Sequence, residues 1–167
     1  FKRVKFMCIW FYRGGILKIL QKGFNYSQDG PGNRLVYHLQ GCNFACKWCS
    51  NADSIPLNSS KAKEYSINEI YDEIMRSRMM FFDGGGVTFT GGEACLQSAE
   101  LILLLKKLKE CGIHTAIETN GSVPALKEIC EYIDYLIVDF KHYDDSEHIR
   151  WTGVSNKNTK EFIEYAF

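Results

Sequence analysis

An excess of either charge, a long apolar run and a repetitive tract are all missing from this sequence. Its 20 basic and 20 acidic side chains cancel, which argues against a nucleic acid or an anionic membrane surface held mainly by electrostatics. No stretch of ~18 apolar residues is present, so nothing in it reads as a membrane span. Repeats, low-complexity segments and clear linkers are absent too. At ~150 residues per domain, the 167 residues suggest one domain with a real core. With 24% charged residues, 11 Phe and 9 Tyr, the chain is not of disordered composition.

Lys2, Arg3 and Lys5 precede an apolar run from Phe6 to Tyr12. That resembles a weak secretory signal, but the run is short, ends in Arg13 and lacks a small-residue cleavage site. It reads better as an N-terminal strand or overhang, and residues 1–14 are set apart as an extension. The chain begins at Phe1 rather than Met, so an incomplete start is expected.

The seven cysteines are odd in number, and Cys42, Cys46 and Cys49 fall within eight residues. Disulfide scaffolds are usually small, secreted and more evenly laced. This cluster therefore reads as metal ligation in a reducing cytoplasm. Cys8, Cys95, Cys111 and Cys130 lie in or beside apolar segments and read as small buried hydrophobes.

What recurs along the chain is a strand followed by a helix. Strands are expected at 34–40, 86–90, 114–119 and 135–141. Helices are expected after 66 (with capping-box spacing between Ser66 and Glu69), over 98–111 stopped by Gly112, over 124–132 and from Asn158 onward. Alternating strands and helices imply βαβ units and a parallel sheet. Four units would make half of an eight-unit barrel or most of a six-unit one, with an open parallel sheet as the alternative. Residues 50–65 are polar, carry Pro56 and read as an exposed loop.

Every chemically unusual cluster sits at the C-terminal end of an expected strand, the edge where parallel α/β folds bind ligands. After the first come Gly41-Cys42, Cys46 and Cys49, and after the second Gly91-Gly92-Glu93. After the third come Glu118-Thr119-Asn120-Gly121, and at the end of the fourth Asp139 and Lys141. The C-x3-C-x2-C spacing favours an iron–sulfur cube over zinc, which usually shows paired C-x2-C units and a fourth ligand; plain thiols rank third. Gly91 and Gly92 let the backbone approach a ligand closely. Gly84-Gly85-Gly86 precedes its strand and reads as a flexible entry rather than a phosphate loop. Glu118, Asp139 and Lys141 are charges at buried strand ends, suited to binding or to mutual pairing. His38 reads as a satisfied core residue. Trp48, between two of the cysteines, suits stacking on a bound ring.

Together these residues resemble the radical S-adenosylmethionine superfamily, in particular the activating enzymes of glycyl-radical enzymes of the pyruvate formate-lyase type. The resemblance runs from about Gly15 onward. It is carried by Asp29-Gly30-Pro31-Gly32 with Arg34, by Leu39-Gln40-Gly41 and the three cysteines, and by the segment Gly86 to Ala94. Glu118 to Gly121, Val138 to Lys141 and Thr152 to Asn156 extend it. It implies a partial (β/α) barrel over 15–167, truncated at its C-terminal side, since four units are seen where the family has six. It implies a [4Fe–4S] cluster on Cys42, Cys46 and Cys49, with S-adenosylmethionine on the fourth iron. It also implies a 5′-deoxyadenosyl radical that takes hydrogen from a glycine of a partner glycyl-radical enzyme, and a flavodoxin- or ferredoxin-type electron donor.

By the same resemblance Trp48 and Ser50 would flank the cofactor. Gly91, Gly92 and Glu93 would receive its amino group, and Asp139 and Lys141 would contact it. Glu118, Thr119 and Asp139 would hold a monovalent cation, although the family usually has Asp where Glu118 stands. Asp29, Gly30, Pro31, Gly32 and Arg34 would meet the partner's glycine loop. An anaerobic ribonucleotide reductase activase, a small-molecule enzyme such as 7-carboxy-7-deazaguanine synthase, and a zinc-bound docking domain are the rivals. The absence of cysteine between Ser50 and Thr90 disfavours activases with extra clusters.

Overall fold

The computed structural model describes residues 14–166; the expected strand or overhang at 6–12, and Cys8, lie outside them. Six strands form one sheet in the order β3-β1-β2-β4-β5-β6. They are β1 (Ile16–Tyr26), β2 (Asn33–Leu39), β3 (Lys63–Ser66), β4 (Gly86–Gly91), β5 (Thr115–Thr119) and β6 (Tyr135–Val138). β2, β4, β5 and β6 run parallel, as the alternating pattern requires. The helices are α1 (Ile67–Arg76), α2 (Ser98–Glu110), α3 (Leu126–Ile129), α4 (Asp145–Thr152) and α5 (Lys157–Ala166). This is the arrangement of a partial (β/α) barrel. No helix among the described residues is long and apolar enough to cross a membrane.

The period of two divides the sheet. Leu35, Tyr37 and Leu39 of β2, with Val87 and Phe89 of β4, point toward the helices and form the core with Ile70, Ile74, Leu101, Leu104, Leu105 and Leu108. Arg34, Val36 and His38 take the opposite, concave face. α1 begins as expected: Ser66 accepts from the Glu69 backbone N–H, and the Glu69 side chain accepts from the Ser66 backbone N–H.

Two strands differ from expectation. β1 pairs antiparallel with both β2 and β3. Only Leu17 and Ile19 of its eleven residues are buried, so its sequence carries almost no apolar alternation. β3 overlaps the end of the segment 50–65 expected to be an exposed loop. That segment also carries a single helical turn at Ala52–Ser54, with Ser54 fully buried. α4 had no periodic signal. It is capped by Asp144, whose side chain accepts from the Glu147 N–H, and it ends at Gly153 in the left-handed region at φ 81°. The last helix starts at Lys157, one residue before the expected Asn158.

The Asp29–Arg34 segment folds back under the concave face. Arg34 is fully buried and spends its donors inside the protein, with Nε on Thr88 Oγ1 at 2.7 Å, Nη1 on the Pro31 carbonyl at 3.0 Å and Nη2 on the Val87 carbonyl at 2.7 Å. Burial pulls its guanidinium down to about 10, with Asp134 and Asp29 acting in the other direction. A Cβ on Gly32, at φ +68°, would collide with the Phe82 and Asp83 carbonyls. Gly32 and Arg34, expected to meet the partner's glycine loop, are both enclosed, and Arg34 clamps the segment to β4. Asp29, Gly30 and Pro31 remain half-exposed. The Gly84–Gly86 entry is not loose either, because Cβ atoms on Gly85 and Gly86 would strike the Asn33 and His114 carbonyls.

Candidate active site

The loops after β2, β4, β5 and β6 converge on one cavity of about 130 Å³. Cys42, Cys46, Trp48, Cys49, Ser50, Gly91, Gly92, Glu118, Thr119, Asp139 and Lys141 all line it. Residues up to 99 positions apart in the chain thus meet, as the edge argument expects (Cys42 to Lys141). Phe44, Asn51, Thr90 and Asn120 line it as well. Phe44 and Asn51 carry no signal beyond adjacency to the cysteine motif, whereas Thr90 and Asn120 belong to the Gly86–Ala94 and Glu118–Gly121 segments but carry no assigned role.

The cysteine loop is held from two sides. Toward the 52–57 loop, the Gly41 and Cys42 N–H groups donate to the Ser54 and Ile55 carbonyls at 2.8 and 3.0 Å. Toward α4, the Ala45 and Lys47 N–H groups donate to the Thr152 and Trp151 carbonyls at 2.8 and 3.0 Å. Trp151 also packs on Trp48 at 5.8 Å between ring centroids and lies under the Lys47 ammonium at 5.1 Å. Phe44 meets the buried His148 ring edge-on at 5.3 Å. A second tie runs through amides: Asn120 Nδ2 donates to Asn43 Oδ1 at 2.9 Å, and Asn43 Nδ2 to Ser122 Oγ at 2.7 Å.

The thiols are raised by burial, Cys42 to about 11 and Cys46 in the same direction, with Lys141 opposing the shift at Cys46. The Phe44 N–H lies 3.4 Å from Cys42 Sγ and favours its thiolate. No three His, Cys, Asp or Glu side chains among the described residues converge closely enough to hold one metal ion. Beside the thiols, Gly91 at φ +113° and Gly92 bring bare backbone to the cavity wall; a Cβ on Gly92 would land on the Gly41 carbonyl.

The charges divide between cavity and interior. Asp139 pairs with Lys141. Burial works against the Lys141 ammonium, but the Asp139 carboxylate outweighs it and holds the lysine above its ordinary value. Glu118 Oε2 accepts from Thr90 Oγ1 at 2.6 Å; burial raises its carboxyl, Thr90 opposes that and Asp139 adds to it. Glu93, expected to receive the cofactor's amino group, turns inward. It is fully buried and does not line the cavity. Oε1 accepts from the Cys95 N–H at 3.0 Å and Thr119 Oγ1 at 2.8 Å, and Oε2 from the Asn120 N–H at 2.7 Å. It fastens the β4 loop to the β5 loop. Cys95 is buried as expected, whereas Cys111 and Cys130 are half-buried. His38 is half-buried on the concave face, and its Nδ1 has no partner among the described residues, so it is not the satisfied core residue expected.

Residues 36–167 match the radical SAM superfamily, and the chain belongs to it. Among curated proteins it is 40% identical over 139 residues to the pyruvate formate-lyase-activating enzyme of Clostridium pasteurianum, covering 81% of this chain and 57% of that protein. It is 37% identical over 142 residues to the pyruvate formate-lyase 1-activating enzyme of Escherichia coli K12, covering 82% and 57%. The chain thus spans 57% of the length of these relatives. Among solved structures its fold is similar to Streptococcus suis SuiB bound to the precursor peptide SuiA, with a TM-score of 0.61 at 19% identity over 78% of this chain and 29% of that one. It is also similar to QueE from Escherichia coli, with a TM-score of 0.54 at 21% identity over 65% of this chain and 54% of that one.

Proposed function

We propose that this chain forms the cluster- and cofactor-binding part of an activating enzyme for a glycyl-radical enzyme of the pyruvate formate-lyase type. The observation that carries the proposal is the meeting of the three cysteines, Gly91-Gly92 and the Glu118, Asp139 and Lys141 charges around one cavity. The identity to two activating enzymes across about four-fifths of the chain supports the same reading.

Cys42, Cys46 and Cys49 would hold a [4Fe–4S] cluster, and the cavity beside them would take S-adenosylmethionine. When bound, this pair supplies a 5′-deoxyadenosyl radical able to abstract a glycine hydrogen. The chain's own residues orient and exclude. Backbone at Gly91 and Gly92 offers hydrogen-bonding groups to the cofactor's amino acid end, and Glu93 acts beneath it by locking Thr119 and Asn120. Lys141 offers a positive charge to a carboxylate, with Asp139 as its counter-charge. Trp48 and Ser50 flank the ring side of the cofactor. Glu118, Thr119 and Asp139 would hold a monovalent cation near that carboxylate. Asp29, Gly30 and Pro31 would meet the partner's glycine loop. A flavodoxin- or ferredoxin-type donor in an anaerobic cytoplasm completes the reading.

The test is anaerobic reconstitution with iron and sulfide, reduction, and EPR with and without S-adenosylmethionine. A cubane signal that changes on adding the cofactor, followed by 5′-deoxyadenosine and a glycyl radical on a supplied pyruvate formate-lyase, is expected. Retained zinc and no cubane would overturn the proposal.

A further inference from the structure

β1 leaves part of its outer edge open. β3 pairs with it only from Ile16 to Ile19, whereas β2 pairs with it as far as Tyr26. The Asn33 N–H turns away from β1 and donates to the Phe82 carbonyl at 3.1 Å. Tyr26 and Asn33 are therefore a non-hydrogen-bonded pair. By the alternation of an antiparallel ladder, so are Phe24 with Leu35 and Lys22 with Tyr37. The backbone N–H and C=O groups of Lys22, Phe24 and Tyr26 thus point outward, away from β2, and no described strand meets them. An edge of this kind is a template for another strand.

The side chains of the same three residues do little to blunt it. Phe24 is 44% exposed and Tyr26 56%. Phe24 lies 6.3 Å from Phe81 and Tyr26 6.1 Å from the exposed Phe82 ring, between centroids. Lys22 is the one charge between Leu20 and Tyr26. Its ammonium is drawn back onto Glu73 at 2.6 Å instead of guarding the edge. No proline interrupts the strand.

A partner strand must match this edge in hydrogen-bonding parity and in charge, and a second copy of β1 does both. Turned antiparallel about a two-fold axis at Phe24, it sets Phe24 opposite Phe24 and Lys22 opposite Tyr26, twice over. Every outward-facing residue then meets another, and each pair exchanges both backbone hydrogen bonds. Phe24 gains an aromatic cross-strand neighbour. Lys22 approaches Tyr26, whose hydroxyl donates to the Asp83 carboxylate at 3.0 Å, so opposite charges approach and like charges do not meet. On the other face Gly23 stands opposite Asn25 without crowding, since a Cβ there would meet nothing within 4 Å. We propose that this chain self-associates edge to edge through β1, as an antiparallel two-fold dimer centred on Phe24. The axis stands perpendicular to the sheet, so the two cavities open at opposite ends of a doubled sheet and neither copy covers the other's rim. A contact this small should dissociate in the range of ~10–100 µM.

The test is sedimentation equilibrium of the full chain across that range, kept anaerobic and reduced so that thiols cannot cross-link. The wild-type mass is expected to rise from 19.2 kDa toward twice that value. Phe24→Lys and Phe24→Glu each set like charges across the axis and should weaken association about tenfold or more. An equimolar mixture of the two variants should recover it, because lysine then faces glutamate. Thermal melting checks that each variant folds. A wild type that stays at 19.2 kDa throughout would overturn the proposal. So would association unchanged in both variants, which would place the contact elsewhere on the molecule. A mixture that associates no better than either variant alone would overturn the pairing of Phe24 with itself.

Discussion

At the scale of single residues, position relative to the cavity decides what a charge does. Glu93 and Glu118 are both carboxylates raised by burial, yet only Glu118 faces the cavity. A carboxyl whose folded value lies above the ordinary 4.5 stabilises the fold fully below 4.5 and loses that contribution as pH rises through its raised value. Glu118→Gln is therefore expected to flatten the fall in stability on going from pH 4.5 toward neutrality, read from denaturant melts across that range. An unchanged slope would mean that Glu118 does not titrate with folding. For Glu93, replacement by Gln puts an amide NH2 where one carboxylate oxygen now accepts a hydrogen bond. A loss of about 1–3 kcal/mol in the same melts is expected.

Among the elements, α4 is the one whose role follows from its contacts. It gives two backbone carbonyls and the Trp151 ring to the cysteine loop. Trp151→Ala should leave the sheet intact but speed cluster loss, seen as faster bleaching near 410 nm when the loaded chain meets a chelator. Bleaching at the wild-type rate would show that the backbone ties suffice.

The elements also show why part of the architecture was legible and part was not. β2, β4 and β5 announce themselves because both faces are buried and the runs are nearly continuous in apolar or β-branched residues. α1 shows through Ser66 and Glu69. β1 stays hidden because most of its side chains are exposed or half-exposed. α4 stays hidden because only His148 and Thr152 of it are buried. In the site, the cysteines and glycines carry their own spacing, whereas the inward turn of Glu93 and the enclosure of Arg34 depend on neighbours distant in sequence, such as Asn120 and Val87.

Across the whole molecule, the core and the cavity occupy different places: the core between sheet and helices, the cavity at the C-terminal rim of the parallel strands. Stripping iron with a chelator should therefore lower the melting temperature by the binding contribution alone, without collapse of the fold. Far-UV circular dichroism of the stripped chain should match that of the loaded chain at 20 °C. A loss of strand and helix signal would show that the rim and the core are energetically one unit.

The glycines packed against backbone carry a consequence for how variation in this chain is interpreted. Gly32, Gly85 and Gly86 are not among the residues that line the cavity, yet a single methyl group at any of them runs into main-chain atoms. A saturation library scored by growth would rank them beside Cys42, Cys46 and Cys49. Scored by cellular abundance, the two groups should separate, with the glycine variants disappearing and the cysteine variants accumulating as inert protein. Intolerance to change would then register chemistry at one end of the strands and crowding at the other.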